Sequence, residues 1–488
     1  MLFNSLEFAL FLPVVVGLFY ATPIHRRWLL LLVASYLFYM AWEPAYGLLL
    51  LTSTTIDWWV SNRLPSVDGV AARRRLLGIS LASNLGMLFS FKYYNLINTT
   101  FHQLAASLGI DWPLPESSLL LPVGISFYTF QTIGYTVDVY QGRQEPERSF
   151  GRFALYVSFF PQLVAGPIER AGRLLPQLRH LGGAGPEQIA GGLRLAAWGL
   201  FKKAVVADRL AILVDAVYRD PTSFSGFALG LATLLFAWQV YCDFSGYSDI
   251  AIGVARVLGV DLMKNFDQPH LSRSMTEIWT RWHISLSIWF RDYIYIPLGG
   301  NRSGPVRWAI NIAVVFIVSG LWHGASWRFA AWGALHAALV IGDRFTRPTR
   351  DAIAAALGID RVPGLRPVVQ IVCTFVLWFF TLIPFRASSL TEATYILTHL
   401  VSGWERFGDP EAFALFLSRV HLDWSMFLIC LLLCPLVELV DYGWRDPRWQ
   451  ERARALPLLV RWGLDYLVLF SILFLGVWSD TPFMYFQF

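Results

Sequence analysis

Residues 308–323 read WAINIAVVFIVSGLWH, sixteen positions with no Asp, Glu, Lys or Arg that close on His323. At 1.5 Å of rise per residue, the stretch from Arg307 to His323 covers about 24 Å of helix. The hydrocarbon core of a bilayer is about 30 Å thick. A helix entered from a basic loop at Arg307 therefore carries its last imidazole into a membrane and not through it. Gly320 and Gly324 flank that ring and leave the backbone around it open.

The whole chain has the same character. Of 488 residues 56% are hydrophobic and 15% charged, where a soluble protein has about 25% charged, and mean hydropathy is +0.49. Disorder, a disulfide scaffold and a water-soluble enzyme are excluded together. Apolar runs of spanning length fall at 7–22, 28–43, 46–62, 76–97, 118–139, 188–215, 226–258, 308–323, 327–343, 367–385, 424–442 and 463–479. They predict an all-α integral membrane protein with about twelve crossings, a single domain over 1–488 with its core motifs at 120–340. Met1 to Tyr20 has neither the basic start nor the cleavage site of a removed signal peptide and reads as a retained span.

Charge supplies the orientation. Loops with Arg26 and Arg27, Arg63 and Arg73 to Arg75, Arg143 to Arg152, Lys264 and Arg273, Arg344 to Arg350, and Arg445 to Arg454 belong on the cytoplasmic side. The 98–117 loop has no Lys or Arg and belongs outside, as do both termini. The formal charge of +5 sits in these short loops, so nucleic-acid binding is not expected. Cys242, Cys373, Cys430 and Cys434 lie within apolar stretches and predict neither a disulfide nor a zinc site.

Two apolar segments do not read as spans. Residues 153–168 end in Ala165-Gly166-Pro167, and 276–298 carry Arg281, His283, Arg291 and Asp292 among aromatics. Both are predicted to be re-entrant or interfacial, which requires protein or a water-filled cavity to cover them. No internal repeat is visible.

Ionisable side chains at membrane depth are functional candidates. Six of the nine histidines, His25, His102, His180, His270, His399 and His421, fall in loops or at segment ends and read as solvated or interfacial. His283, His323 and His336 lie in apolar stretches. For His336 a structural hydrogen bond to a neighbouring helix's carbonyl stands level with a functional role. At 323 an imidazole held away from water is neutral and can take a proton from a hydroxyl, as acyl transfer to an alcohol requires. There is no Gly-x-Ser-x-Gly beside these histidines, no Walker loop and no His-Glu-x-x-His. Asp243 and Asp249 are six residues apart, about 600° around a helix, so they face different sides and each needs a cation. Arg281 and Arg291 are the obvious ones. Trp279, Trp282, Trp289, Tyr293, Tyr295 and Trp322 form either interfacial belts and packing or the wall of an acyl or glycan channel.

The runs at 121–128 (LPVGISFY), 161–167 (PQLVAGP), 243–249 (DFSGYSD), 281–287 (RWHISLS), 291–302 (RDYIYIPLGGNR) and 320–325 (GLWHGA) resemble the bacterial alginate O-acetyltransferase branch of the membrane-bound O-acyltransferases (MBOAT). The likeness runs over about 1–390, is most specific over 240–335, and loosens in the divergent helices of 390–488. It implies an MBOAT-like ring of about 11–12 transmembrane helices, with re-entrant or interfacial helices, around a central channel. It also implies that His323 is catalytic and that His283 lies across the channel. In the eukaryotic lipid-modifying relatives the position of His283 is often asparagine, which suits positioning better than proton transfer.

The same resemblance implies a bacterial inner-membrane enzyme with no bound cofactor. It would take an acetyl group from a cytoplasmic thioester such as acetyl-CoA and pass it outward, usually to a separate extracytoplasmic acetyltransferase that modifies a polysaccharide. Alginate is the first acceptor, with peptidoglycan, cellulose and teichoic acid served by related proteins. His323 is then the base, His283 the orienting group, and Asp243, Arg281, Trp282, Arg291, Asp292, Tyr295 and Trp322 the supporting or channel residues. The rival is a transporter of a glycan or acyl carrier without bond chemistry, whose paired broken helices are not seen.

Overall fold

Each of the twelve predicted spans contains a helix in the computed structural model, which describes residues 1–302, 304–406, 408–478, 483 and 484. Position 479, the end of the last predicted span, lies outside the described residues. The chain opens with α1 (Leu6–Ala21), α2 (Arg27–Met40) and α3 (Tyr46–Arg63). Then α4 (Val70–Leu88) runs through a π-helical turn, Phe89–Tyr93, into α5 (Tyr94–Ser107). An irregular stretch leads to α6 (Ile125–Tyr140), followed by α7 (Phe150–Ser158) and α8 (Ala171–Arg179). The predicted span 188–215 is α9 (Pro186–Leu200), a second π-helical segment, Phe201–Ala207, and α10 (Asp208–Arg219). Next come α11 (Gly226–Val257), α12 (Met275–Arg281), α13 (Ile284–Phe290), α14 (Pro305–His323) and α15 (Trp327–Phe345). The remainder is α16 (Arg347–Ala356), α17 (Leu365–Arg386), α18 (Leu390–His399), α19 (Pro410–Arg419), α20 (Trp424–Arg445), α21 (Pro447–Ala455) and α22 (Leu458–Leu475). No strand occurs among the described residues.

Five of these, α11, α14, α17, α20 and α22, are long and apolar enough to cross a bilayer on their own. The other predicted spans hold shorter helices, as in α1 with 16 residues, or helices with charged residues, such as α3 with its buried Asp57 and α4 with its exposed Arg74 and Arg75. The two extremes differ in burial: 72% of the apolar window of α11 is covered, against 6% for α22. Thus α11 is the central helix, and α22 presents its leucines and phenylalanines outward, as a lipid-facing helix does. Local signals set the ends. Ser5, Ser149, Ser225, Ser274 and Ser389 each accept a backbone N–H of the helix they precede, and Pro305 occupies the first position of α14.

Two glycine contacts fix the packing around the centre. Gly192 and Gly199 of α9 lie against Gly253 and Gly246 of α11, seven residues apart on each helix; a Cβ on Gly199 would meet the Gly246 carbonyl oxygen at 2.5 Å, and one on Gly253 the Gly192 oxygen at 2.4 Å. Only glycine lets the backbones approach so closely. Gly246 thus owes its place to helix packing. In the hairpin of α14 and α15, Cβ atoms on Gly320 and Gly333 would sit 2.1 Å from the Phe329 oxygen and 2.2 Å from the Phe316 oxygen.

The two carboxylates of α11 are paired, but not with the arginines the sequence suggested. Asp243 accepts from Lys203 (2.8 Å), which also reaches Asp208 (2.8 Å). Asp249 pairs with Lys202, which also faces Asp441 of α20 at 3.4 Å. Both lysines come from the π-helical segment that follows α9, brought alongside by the glycine contacts. Arg281 instead pairs with Glu277 one turn back (2.6 Å), and Arg291 with its neighbour Asp292 (2.8 Å). The C-terminal helices are tied in by the same means: Tyr241 and Trp198 donate to Asp441 at 2.6 and 2.9 Å, and Arg194 pairs with Asp465 at 2.8 Å. His270 is a further correction, being buried and paired with Glu438 of α20. The other five histidines read as solvated are exposed.

Candidate functional site

The segment 153–168 is a short helix and an irregular run, every residue of it buried, and it helps to cover a cavity. That cavity, small at about 30 Å³ and partly open, is lined by Lys92, Leu121 to Phe127, Val164, Trp322 and His323. A second, smaller hollow shares Val123 and Val164 with it and is otherwise walled by Met1, Phe38, Tyr39, Trp42 and Tyr46. The wall at 121–124 is the end of the connection between α5 and α6; of the 98–117 stretch that the charge pattern puts outside, 98–107 are the second part of α5 and not loop, and 108–117 begin this connection.

His323 is the last residue of α14, which Gly324 ends in an extended conformation. Its ring is 3% exposed and packs edge-on to Trp322 and Trp332, both at 5.1 Å between centroids, and to Phe385 at 5.6 Å. His283 sits in a left-handed turn between α12 and α13 with φ of +42°, a conformation uncommon outside glycine and enriched in Asn, Asp and His. Asn265 closes this turn: its carbonyl accepts the Ile284 N–H at 2.9 Å and its side chain the Ser285 hydroxyl at 3.0 Å. The His283 ring lies 4.7 Å from Phe244 of α11 and 5.8 Å from Trp322. One indole, that of Trp322, therefore touches both imidazoles. The row continues from His323 through Trp332 to His336, 4.5 Å beyond. His336 is fully buried against Trp279, Trp332 and Phe316, and its nitrogens bond to no carbonyl among the described residues, so the hydrogen bond on which one of its two readings rested is not found there.

Of the nine predicted site residues, then, the fold gathers His283, Trp322 and His323, and Trp322 and His323 line the cavity. Asp243 is a framework ion pair. Trp282 packs on Phe266 and Trp378 at 5.0 and 5.5 Å. Arg291 and Asp292 join Arg170 of the loop before α8 (Arg170 to Asp292, 2.8 Å), and Tyr295 is half-buried in the π-helical turn that contains them. Among the described residues no three His, Cys, Asp or Glu side chains converge as a metal site needs.

Sequence reading missed Lys92. It lies deep in the run 76–97 and is 9% exposed. Its Nζ donates to the carbonyl of Trp322 (2.6 Å) and reaches the carbonyl of His323 and the hydroxyl of Ser126 (3.4 Å each). The adjacent Tyr93 donates to the Leu321 carbonyl at 3.0 Å. The signal was present: a lone cation inside an apolar span.

Comparison with known proteins agrees with this architecture. Residues 147–383 match the membrane-bound O-acyltransferase family. A probable alginate O-acetylase of Pseudomonas putida is 36% identical over the whole of both chains, and one of Azotobacter vinelandii 38% identical over 84% of this chain and 79% of its own. A peptidoglycan O-acetyltransferase of Helicobacter pylori is 30% identical over 95% of this chain and 91% of its own. A likeness that runs end to end, on a helical fold with several bilayer-length apolar helices, makes this chain an acyltransferase of the membrane and a member of the membrane-bound O-acyltransferase family.

Proposed function

We propose that the protein O-acetylates an extracytoplasmic polysaccharide, alginate, by drawing the acetyl group from acetyl-CoA on the cytoplasmic face of the bacterial inner membrane. A separate extracytoplasmic acetyltransferase is the partner that completes delivery to the glycan. Whole-length likeness to proteins named as alginate O-acetylases favours alginate over peptidoglycan, for which the identity is lower.

The observation that carries the residue assignment is His323 at the wall of the cavity, as the last residue of the apolar helix α14. There its imidazole accepts the proton of an incoming hydroxyl as the oxygen attacks the thioester carbonyl. The tetrahedral adduct collapses with cleavage of the C–S bond, and the imidazolium returns its proton to the departing thiolate. The products are an ester and a free thiol. His283, set against the other side of Trp322, orients donor or acceptor, while Asp243, Arg281, Arg291 and Asp292 hold the surrounding elements, and Trp282 and Tyr295 pack beside them. Purified protein in proteoliposomes, given labelled acetyl-CoA and a hydroxyl acceptor, tests this. His323→Ala should remove about 10²–10⁴-fold of the rate with folded yield intact. A variant that still transfers label at the parent rate overturns the assignment, and movement of unmodified substrate alone would favour a transporter.

A further inference from the structure

An α-helix leaves its last four carbonyls without intrahelical partners, and together they form the negative end of the helix dipole. For α14 three of these, on Leu321, Trp322 and His323, are met by two consecutive side chains, Tyr93 and Lys92. Both belong to the π-helical turn Phe89–Tyr93 inside an otherwise continuous helix. Such turns are rare and are found most often at functional sites, because the extra residue re-aims the side chains around it. Lys92 has three acceptors around Nζ, two carbonyls and the Ser126 hydroxyl. Three acceptors match the three N–H donors of an ammonium, whereas a neutral amine offers two.

From this geometry we infer that Lys92 is a positioning residue for acyl transfer: it clamps the end of α14 and so fixes the His323 ring at the cavity wall. Its charge also offsets the negative end of α14. Negative charge grows on the carbonyl oxygen when a hydroxyl adds to a thioester, and an uncompensated helix C-terminus would oppose it. The effect should therefore fall on turnover and not on donor binding. Ser126, the second residue of α6, also lines the cavity, so one ammonium joins the turn between α4 and α5 to α6 and α14 around the same space. This inference rests on the reading of His323 as the base.

Steady-state acetyl transfer from acetyl-CoA by the full-length protein in proteoliposomes tests it, with His323→Ala, Lys92→Met and Lys92→Gln measured in parallel. Lys92→Met should lower kcat by about tenfold or more while KM for acetyl-CoA stays within about twofold. Lys92→Gln, which keeps two donors but no charge, should fall between, and melting temperature should stay near that of the parent. A parent-like kcat in either variant overturns the role of Lys92, and so does a loss that tracks the loss of folded protein or appears in KM. Should Lys92→Met not accumulate, Lys92→Gln decides by the same criteria. If His323→Ala itself keeps the parent rate, the reading of the site fails and the Lys92 inference falls with it; inactive His323→Ala beside normal Lys92 variants rejects Lys92 alone.

Discussion

A single methyl at Gly320 should separate folding from catalysis. Gly320 lies one turn before His323, and its added Cβ would stand 2.1 Å from the Phe329 carbonyl oxygen, where ordinary contact begins at 3.4 Å. The obstacle is backbone and cannot rotate aside, so α14 and α15 must part by the difference, about 1.3 Å, near the cavity. Overpacking of this kind costs about 1–3 kcal/mol, which a protein of this size survives. The ring one turn further on, however, moves by a distance of the order of 1 Å, and a misplacement of that size can cost about 10²-fold in rate. The assay is the initial rate of acetyl transfer by Gly320→Ala protein, normalised to the monodisperse fraction in gel filtration. Gly463→Ala on α22, with nothing within 4 Å of the new Cβ, is the control and should keep the parent rate. A Gly320→Ala rate within about twofold of the parent would refute the argument that the hairpin sets the position of His323.

Two further variants probe the framework. Lys203→Met strips the cation from two buried carboxylates, Asp208 and Asp243, and should cost about 3–5 kcal/mol. Asp243→Asn leaves an acceptor and the Asp208 pair in place and should cost about 1–2 kcal/mol; thermal unfolding in detergent followed by tryptophan fluorescence reads the order, and equal losses would contradict it. Glu169, in the loop before α8, has its carboxyl raised by burial from 4.5 to about 7, against the lowering effect of the Met263 N–H and Arg173. A raised acid gives stability that is whole below its unfolded value and lost as pH climbs through the folded one. The parent should therefore lose stability between about pH 5 and 7, and Glu169→Gln should flatten that slope; identical slopes in the two proteins would refute it.

The helices were legible because a bilayer-length apolar run has few alternative meanings, and 308–323 could be placed with its terminal histidine by counting alone. What counting could not supply was lateral. Which cation meets Asp243 depends on the approach of α9 to α11, set by glycines 40 to 60 residues away in sequence, and Arg281 and Arg291 looked available only because their own neighbours Glu277 and Asp292 were not weighed. The breaks at Phe89–Tyr93 and Phe201–Ala207 were invisible for a related reason: a π-helical turn leaves the apolar composition of a run unchanged and alters only where its side chains aim. All three lysines the sequence reading passed over, Lys92, Lys202 and Lys203, lie in those two turns. A cation inside a span, at a place where the helix is locally rewound, is the pattern that would have found them.

The backbone at His283 bears on the division of labour between the two histidines. At φ of +42° the residue must tolerate a left-handed conformation, which His and Asn do better than most side chains. The resemblance to the wider family suggests that this position alternates between the same two residues. What they share is that tolerance and a hydrogen-bonding group at short reach; what they do not share is the ability to take up a proton near neutrality. A role common to both is therefore orientation, with Asn265 holding the turn from behind. His323 ends a right-handed helix, where the backbone makes no such demand, so the conformation does not account for a histidine there. Its imidazole is better explained by what the ring can do, and only the ring on that side of Trp322 lines the cavity. Orientation at 283 and proton transfer at 323 are the roles we propose, the first from the left-handed backbone at that position and the second from the ring's place at the cavity wall.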